Sequence, residues 1–462
     1  MFPEAFITRI KQQPYIESEE LLRALESPSP VTIRINRNKW THDPLNSEPV
    51  QWCRDGFYLD ARPSFTLDPL FHAGCYYPQE ASGMFLEEAF RQSGGNISNI
   101  KVLDLCGAPG GKSTHLSTLI GPRGLLVANE VIRSRASVLT ENLTKWGLSN
   151  AVVTQNDPSA FSRLPGFFDL ILIDAPCSGE GMFRNRTAVN EWSEENTCLC
   201  SERQKRILLD VWPALKEDGI LIYSTCTFNP GENELNMKWF TRRHEAETLT
   251  LDISAYKNIT AINCQGVHGY GFFPGRIRGE GFFISVLRKK ERPRETNFKA
   301  RPCNENRITR KEKAIVAEWT HFPADNIVKQ VNEVIVPACS CDDYQALSGL
   351  LRIIKAGTGI CTVKADKYLP LHEAAMSVYF NKESFPAVSV SIDQALSYLR
   401  RGGILHDNVQ KGWNIVSYNG VSLGFINNIG RRINNYYPID WRIRMRRSGQ
   451  HKENIINWKE NT

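Results

Sequence analysis

Two of the twelve cysteines stand where a thiol could do chemistry. Cys177 follows an apolar run that ends Asp174-Ala175-Pro176, and Cys226 follows one that ends Tyr223-Ser224-Thr225. Both runs read as buried strands, so each thiol sits just past a strand end, where ligands meet an open α/β sheet. The thiolate is the nucleophilic form of cysteine, and two thiols in one crevice suit a reaction that adds a nucleophile to a ring and later expels it. Methylation of carbon 5 of a pyrimidine is such a reaction, because that carbon becomes nucleophilic only after a thiolate adds to carbon 6. The other ten cysteines read as ordinary reduced thiols. No Cys-x-x-Cys pair occurs, and the spacings of Cys198/Cys200 and Cys339/Cys341 do not suit structural zinc, so no metal is expected. The cysteines are too sparse for a disulfide scaffold, which favours a reducing, cytoplasmic compartment.

A methyl donor needs its own site. The run IKVLDL ends in Asp104-Leu105 and continues Cys106-Gly107-Ala108-Pro109-Gly110-Gly111-Lys112-Ser113-Thr114 into a helical pattern. Such a loop offers free backbone N–H groups and a positive helix end to a nucleotide or nucleoside. A phosphate loop, G-x-x-x-x-G-K-[ST], would need glycine where Cys106 stands; Gly107 lies one residue too close to Gly111. The ILID run at 171–174 imitates the acidic strand of a nucleotide hydrolase, which makes the comparison a close one. S-adenosylmethionine fits better. Glu130, 23 residues after Gly107, could accept from its ribose hydroxyls, and Asp157 from its adenine amino group. Asp104, Glu130, Asp157 and Asp174 each read as ending a strand, and four acids in register favour a nucleoside crevice.

The elements that must position these residues begin at Ile100. Strand-like runs at 100–105, 124–129, 150–155, 167–174 and 219–225 alternate with helical segments, and GEGFFISVLRKK (279–290) closes the region as a further strand. That alternation predicts a doubly wound, Rossmann-like parallel sheet. At 462 residues the chain has room for about three domains at roughly 150 residues each. We expect an N-terminal α+β region over 1–85, with a helical pattern at 4–25 and a strand at 31–36. A methyltransferase domain over 86–290, a polar linker over 291–313, a middle α+β domain over 314–385 and a β-rich module over 386–462 follow. No apolar run approaches the roughly 18 residues of a membrane span, and the opening MFPEAFITRIKQQP lacks the form of an export signal. The net charge of +6 permits an anionic partner without demanding one.

Several motifs now converge. DLCGAPGGKST (104–114), the four strand-end acids, DAPCSGEGMFR (174–184) and YSTCTFNPGENE (223–234) resemble those of the Sun-type RNA cytosine carbon-5 methyltransferases. TIRIN (32–36), GCYYPQEASGM (74–84) and the closing GEGFFISVLRK agree, so the resemblance spans about residues 3–290. PEAF at the start, GWNIVSYNGVSLG (412–424) and RRINNYYPIDWRIR (431–444) are similar to the RsmF (YebU-like) branch, which methylates 16S ribosomal RNA. The resemblance implies that Cys226 attacks carbon 6 and that Cys177 assists elimination of the enzyme from the methylated base. It makes Asp174 a contact to the cytosine amino group and nitrogen 3, shared with the cofactor site. It places Cys106 to Lys112 along the methionine part of S-adenosylmethionine, with Glu130 at the ribose and Asp157 at the adenine. Cys106 departs from the family's usual alanines at a position where any small residue serves.

Other readings compete. Enzymes that methylate exocyclic nitrogens carry [DN]-P-P-[YF] after the fourth strand, whereas Asp174-Ala175-Pro176-Cys177 has no aromatic. A carbon-5 enzyme for tRNA or another RNA, or a non-catalytic RNA-binding ribosome-assembly factor, would share much of the pattern. The intact cysteine pair argues against the last. For RNA binding, Arg431, Arg432, Arg442, Arg444, Arg446 and Arg447, interleaved with Tyr436, Tyr437 and Trp441, offer phosphate contacts and stacking, against a plain reading as a solvated tail. The β-rich end resembles modules of the pseudouridine-synthase-and-archaeosine (PUA) type. Arg133, Arg135 and Lys145 read as an exposed helix face, and His42, His72, His115 and His268 as structural.

Overall fold

The apolar runs after Ile100 are short, and most are buried along their whole length, which suits strands covered by helices on both faces. The computed structural model describes residues 2–94, 98–292, 308–322, 327–330, 332–365, 367–403, 409–445 and 454–459. Its central sheet contains β1 (Lys101–Asp104), β2 (Leu125–Asn129), β3 (Ala151–Thr154), β4 (Phe168–Asp174), β5 (Leu215–Thr225), β6 (Thr260–Cys264), β7 (Val267–Phe272), β8 (Phe282–Lys289) and β9 (Ile353–Ala356). Their order is β6-β7-β8-β5-β4-β1-β2-β3-β9. Strands β1 to β5 pair in parallel, as expected. The flank β6 to β8 is antiparallel, so the sheet is mixed. The order reverses between β1 and β4, and the crevice beyond those two strand ends is the ligand position of a doubly wound sheet.

Alternate side chains fill the two faces. Leu103, Val127, Ile171 and Leu221 join one core, and Val102, Leu126, Leu172 and Ile222 the other, all essentially without solvent access. Four helices matter for the site: α1 (Gly111–Leu119), α2 (Arg133–Trp146), α3 (Glu194–Val211) and α4 (Glu234–Thr241).

The N-terminal helical pattern is two helices, Glu4–Gln12 and Ser18–Leu25, with Pro14 in the break. Phe6 and Ile10 enter the core that also holds Phe183, which lies in the loop after Cys177. Strand Val31–Ile35 belongs to a separate four-stranded antiparallel sheet. From it Arg34, fully buried, donates to Gln79 Oε1 at 2.9 Å, Thr114 Oγ1 at 2.7 Å and the Gly111 carbonyl at 3.3 Å, and stacks over Trp146. One guanidinium thus ties the N-terminal sheet to the first turns of α1. Arg34→Met leaves three buried acceptors short of a donor and is expected to cost about 2–4 kcal/mol, read as a lower thermal midpoint.

Beyond β8 the fold departs from the sequence reading in two ways. Helix Arg310–Trp319, capped by Thr309, begins inside the expected 291–313 linker; residues 293–307 of that linker lie outside the described residues. Strand β9, from the expected middle domain, pairs with β3 and extends the central sheet, while its neighbours form a four-stranded sheet of their own. The C-terminal sheet, with helix Ile392–Leu399, shares a core with the N-terminal region: Tyr398, Val416, Leu423 and Tyr437 pack with Ile33, Leu70 and Tyr76.

Two charge readings are corrected. Lys145 is not on an exposed face: it is buried at the end of α2, bound to Glu141 Oε1 at 2.5 Å and lying over the rings of Phe71 and Trp441. The N-terminal region, through Phe71, and the C-terminal module, through Trp441, together cover it. In the basic tail, Arg431, Arg432, Arg442, Arg444 and Tyr436 are exposed, but Tyr437 is buried and Trp441 packs inward; Arg446 and Arg447 lie outside the described residues. Among the described residues no helix is long and apolar enough to cross a membrane.

Candidate active site

The glycine loop leaves β1 at Asp104 and enters α1 at Gly111. Gly110 sits at φ +120°, where an L side chain is strained, and a Cβ there would meet Asn142 Cβ at 3.2 Å. Helix α2 fastens the loop: Asn142 Nδ2 donates to the Pro109 carbonyl and Arg135 to that of Ala108. Arg135 is therefore a support of the glycine loop as well as part of an exposed helix face. Cys106 packs beneath the loop, and burial beside Asp104 and Asp174 pushes its thiol far up, as befits a packing residue.

Lys112, the residue that made the loop resemble a phosphate site, turns instead to Asp174 at the end of β4. Its Nζ is 2.8 Å from Asp174 Oδ2, while Ser224 Oγ donates to Oδ1 at 2.8 Å. Burial disfavours the ammonium, but Asp174 and the nearby Cys226 outweigh it and hold the Lys112 pKa above its ordinary value. Asp174 pairs across the sheet with Ser224, so β5 delivers Cys226 beside this ion pair.

The two thiols meet. Cys177 Sγ and Cys226 Sγ are 3.0 Å apart, and the Cys226 N–H points at Cys177 Sγ at 3.3 Å. The hydrogen bond to Cys226, and then burial, push the Cys177 thiol well above its usual range. Cys177 therefore keeps its proton at neutral pH and can donate it toward a Cys226 thiolate. Glycine makes room here: a Cβ at Gly181 would lie 2.5 Å from the Gly281 carbonyl oxygen and 2.8 Å from that of Cys226. The loop after Cys177 is pinned by the N-terminus, since Arg9 pairs with the fully buried Glu180 at 2.5 Å.

Of the acids expected on the cofactor side, Asp104 ends β1, and Glu130 directly follows β2. Asp157 differs from the expectation of a strand-end acid. Strand β3 stops at Thr154, and Asp157 caps a short 3-10 turn, accepting from Ser159 N–H and Oγ with its side chain half exposed. Glu130 is buried, with Oε1 on the Ile132 N–H and Oε2 3.5 Å from Arg135. Asp104 supplies the test of fit for S-adenosylmethionine. Ser113 donates to its Oδ2 at 2.6 Å, but the buried Oδ1 has no partner among the described residues, and burial pushes the carboxyl up to about 7. An orphaned acceptor of this kind suits the cofactor's ammonium group.

Spacing alone also missed a cluster around His115. Its Nε2 lies 3.0 Å from Glu87 Oε2 and 3.9 Å from Cys53 Sγ, and burial pushes the imidazole down to about 4, so it is neutral. The three residues are far apart in sequence, and no local signal joins them.

Residues 96–288 match the family model described as 16S rRNA methyltransferase RsmB/F, residues 2–81 the N-terminal domain of 16S rRNA methyltransferase RsmF, and residues 385–443 the RsmF PUA domain. The ribosomal RNA small subunit methyltransferase F of Aliivibrio salmonicida is 30% identical over 94% of this chain and 96% of its own length. That of Shewanella amazonensis is 30% identical over 95% and 97%. A methyltransferase homolog from Pyrococcus horikoshii, of known structure, superposes with a TM-score of 0.53 at 28% identity, covering 62% of this chain and 95% of that one. Fold and crevice together define an S-adenosylmethionine-dependent methyltransferase. The chain belongs to the 16S rRNA methyltransferase RsmB/F family.

Proposed function

We propose that the protein forms 5-methylcytosine in 16S ribosomal RNA, through a covalent bond between Cys226 and the base. The observation that carries this reading is the contact of two thiols, 3.0 Å apart at the ends of adjacent parallel strands, beside the Lys112–Asp174 pair. A base stacked in a helix hides carbon 6, so the target cytosine is unpaired or flipped into the crevice. Cys226, as thiolate, adds to carbon 6; the Lys112 ammonium and the Cys177 S–H stabilise its charge beforehand. Asp174, held by Lys112 and Ser224, accepts from the cytosine amino group and orients the base, while the Lys112 ammonium offsets the negative charge that moves into the ring as the thiolate adds. Bound S-adenosylmethionine supplies an electrophilic methyl group on its sulfonium. The chain's part is to hold it: the Cys106–Lys112 loop and Asp104 at the methionine end, Glu130 at the ribose, Asp157 toward the adenine. After transfer the carbon 5 proton passes to a water base, its C–H electron pair re-forms the 5,6 double bond, and Cys226 leaves carbon 6 as thiolate, a departure that Cys177 assists by donating its S–H to the departing sulfur. No step calls for a metal.

The same reading assigns residues 1–85 to RNA and catalytic-domain support, 86–290 to methyl transfer, and 386–462, with its exposed arginines, to RNA binding. It places the protein in the cytoplasm, where small-subunit RNA is processed. Bisulfite mapping of ribosomal RNA with and without the protein tests it, together with thermal stabilisation by S-adenosylhomocysteine but not by ATP–Mg²⁺. A protein-dependent 5-methylcytosine in 16S RNA is the expected result. The same mark in tRNA alone would keep the chemistry and overturn the substrate, and no cytosine mark would overturn both.

A further inference from the structure

The segment 229–234 begins three residues after Cys226, yet the reaction above gives it no work. Its Glu232 is fully buried, and every side-chain contact it makes leads back to the two cysteine loops. Oε2 accepts from the Ser178 N–H at 2.9 Å and from Gln204 Nε2 at 3.0 Å; Oε1 accepts from Ser178 Oγ at 2.5 Å and, more distantly, from Thr227 Oγ1 at 3.5 Å. Ser178 is the neighbour of Cys177, and Thr227 the neighbour of Cys226. Their hydroxyls also touch at 2.9 Å. Gln204, from α3, reaches the Pro176 carbonyl with the same amide nitrogen, so both sides of Cys177 are tied to one carboxylate. Tyr223 OH donates to the Glu232 carbonyl at 2.6 Å and fixes the backbone.

Every group that meets this carboxylate is a donor or a hydroxyl able to donate, an arrangement that suits the ionised form. No cation pairs with it among the described residues. A buried carboxylate without a counter-ion is costly, so stability alone gives poor reason for an acid at this position. We propose that Glu232 is a positioning residue that locks the loops of Cys177 and Cys226 in register, and thereby sets the sulfur–sulfur spacing on which release of the methylated RNA depends. The proposal rests on the covalent reading above.

Its pH consequence can be signed. Burial pushes the Glu232 carboxyl up to about 7, with Glu180 adding to the rise. The titratable groups around it are Glu180, itself paired with Arg9, Cys177 and Cys226 in the two loops, Cys200 on α3 and Tyr223 on β5. Because the folded value is raised, the proton returns as pH falls through about 7. One acceptor then becomes a donor facing donors, and the lock loosens on the acid side.

The test compares Glu232→Gln, Glu232→Asp and Ser178→Ala with the unaltered protein, using RNA substrate and S-adenosylmethionine. First-turnover methyl transfer, steady-state turnover and the covalent protein–RNA adduct on a denaturing gel are the readouts. In Glu232→Gln, turnover is expected to fall roughly 10- to 100-fold, more than first-turnover transfer does, because a displacement near 1 Å costs on that order. Adduct should accumulate, and the acid limb of turnover near pH 7 should flatten. Glu232→Asp, which keeps the charge, should recover part of the turnover. Ser178→Ala removes one donor and keeps the proposal testable if Glu232→Gln does not fold; it should accumulate adduct to a smaller extent. Equal loss of transfer and turnover, or wild-type turnover with an unchanged acid limb, would overturn the proposal. If the unaltered protein forms neither adduct nor 5-methylcytosine, it is the covalent reading that fails, and that result is distinct from either.

Discussion

Cys226→Ala is expected to abolish methyl transfer, lowering the rate by more than about 10⁴-fold, the scale on which loss of a nucleophile acts. Without addition to carbon 6, carbon 5 has no electron density to give, and the rest of the site has nothing to replace it. Lys112 is left to offset charge that never forms, and Asp174 to orient a base that does not react. The variant should keep its fold, since Cys226 is partly exposed at a strand end and is not a core filler. Transfer of labelled methyl groups to RNA is the measurement, with S-adenosylhomocysteine stabilisation as the check that the cofactor site survives. Substantial residual 5-methylcytosine would mean that another group adds to the ring.

The second expectation has the opposite signature. Cys177→Ala leaves the nucleophile, Lys112 and Asp174 in place, so addition and transfer proceed while elimination stalls. A protein–RNA adduct that survives denaturation should accumulate, with at most about one methyl group transferred per enzyme. Loss of the Cys177 S–H also removes a donor to the Cys226 thiolate, so addition itself should slow somewhat. The contrast between the variants separates two thiols that are 3.0 Å apart and chemically alike. Adduct found only with the Cys226 variant would reverse their assignment.

The separation of roles shows how far local pattern carries. The five parallel strands were legible because each apolar run is short and bounded by loop residues, and the crevice acids because three of them directly end or follow strands. Asp157 misled: an acid that directly closes the run Val152-Val153-Thr154-Gln155-Asn156 looks like a strand-end residue, whereas β3 stops at Thr154 and Asp157, three residues on, caps the next turn. Lys145 misled for another reason. A lysine late in an amphipathic helix reads as solvated, and only the N-terminal region and the C-terminal module, bringing Phe71 and Trp441 to it, remove the water. The linker boundary failed because a capping threonine and charged first turn look alike in a loop and at a helix start. Strand β9 could not be foreseen, since joining β3 from about 200 residues away leaves no local mark.

The sequence by itself determined the five parallel strands, the glycine loop after the first of them, and the two strand ends that carry thiols, because periodicity and strand-end chemistry are local properties. The tertiary structure decided what those groups are to one another. It turned Lys112 from a phosphate-loop lysine into the partner of Asp174, brought Cys177 against Cys226, and gathered Ser178, Thr227 and Gln204 on Glu232. These relations depend on which strands are neighbours and how far each loop reaches, and distance across a folded sheet is not written in the spacing along the chain.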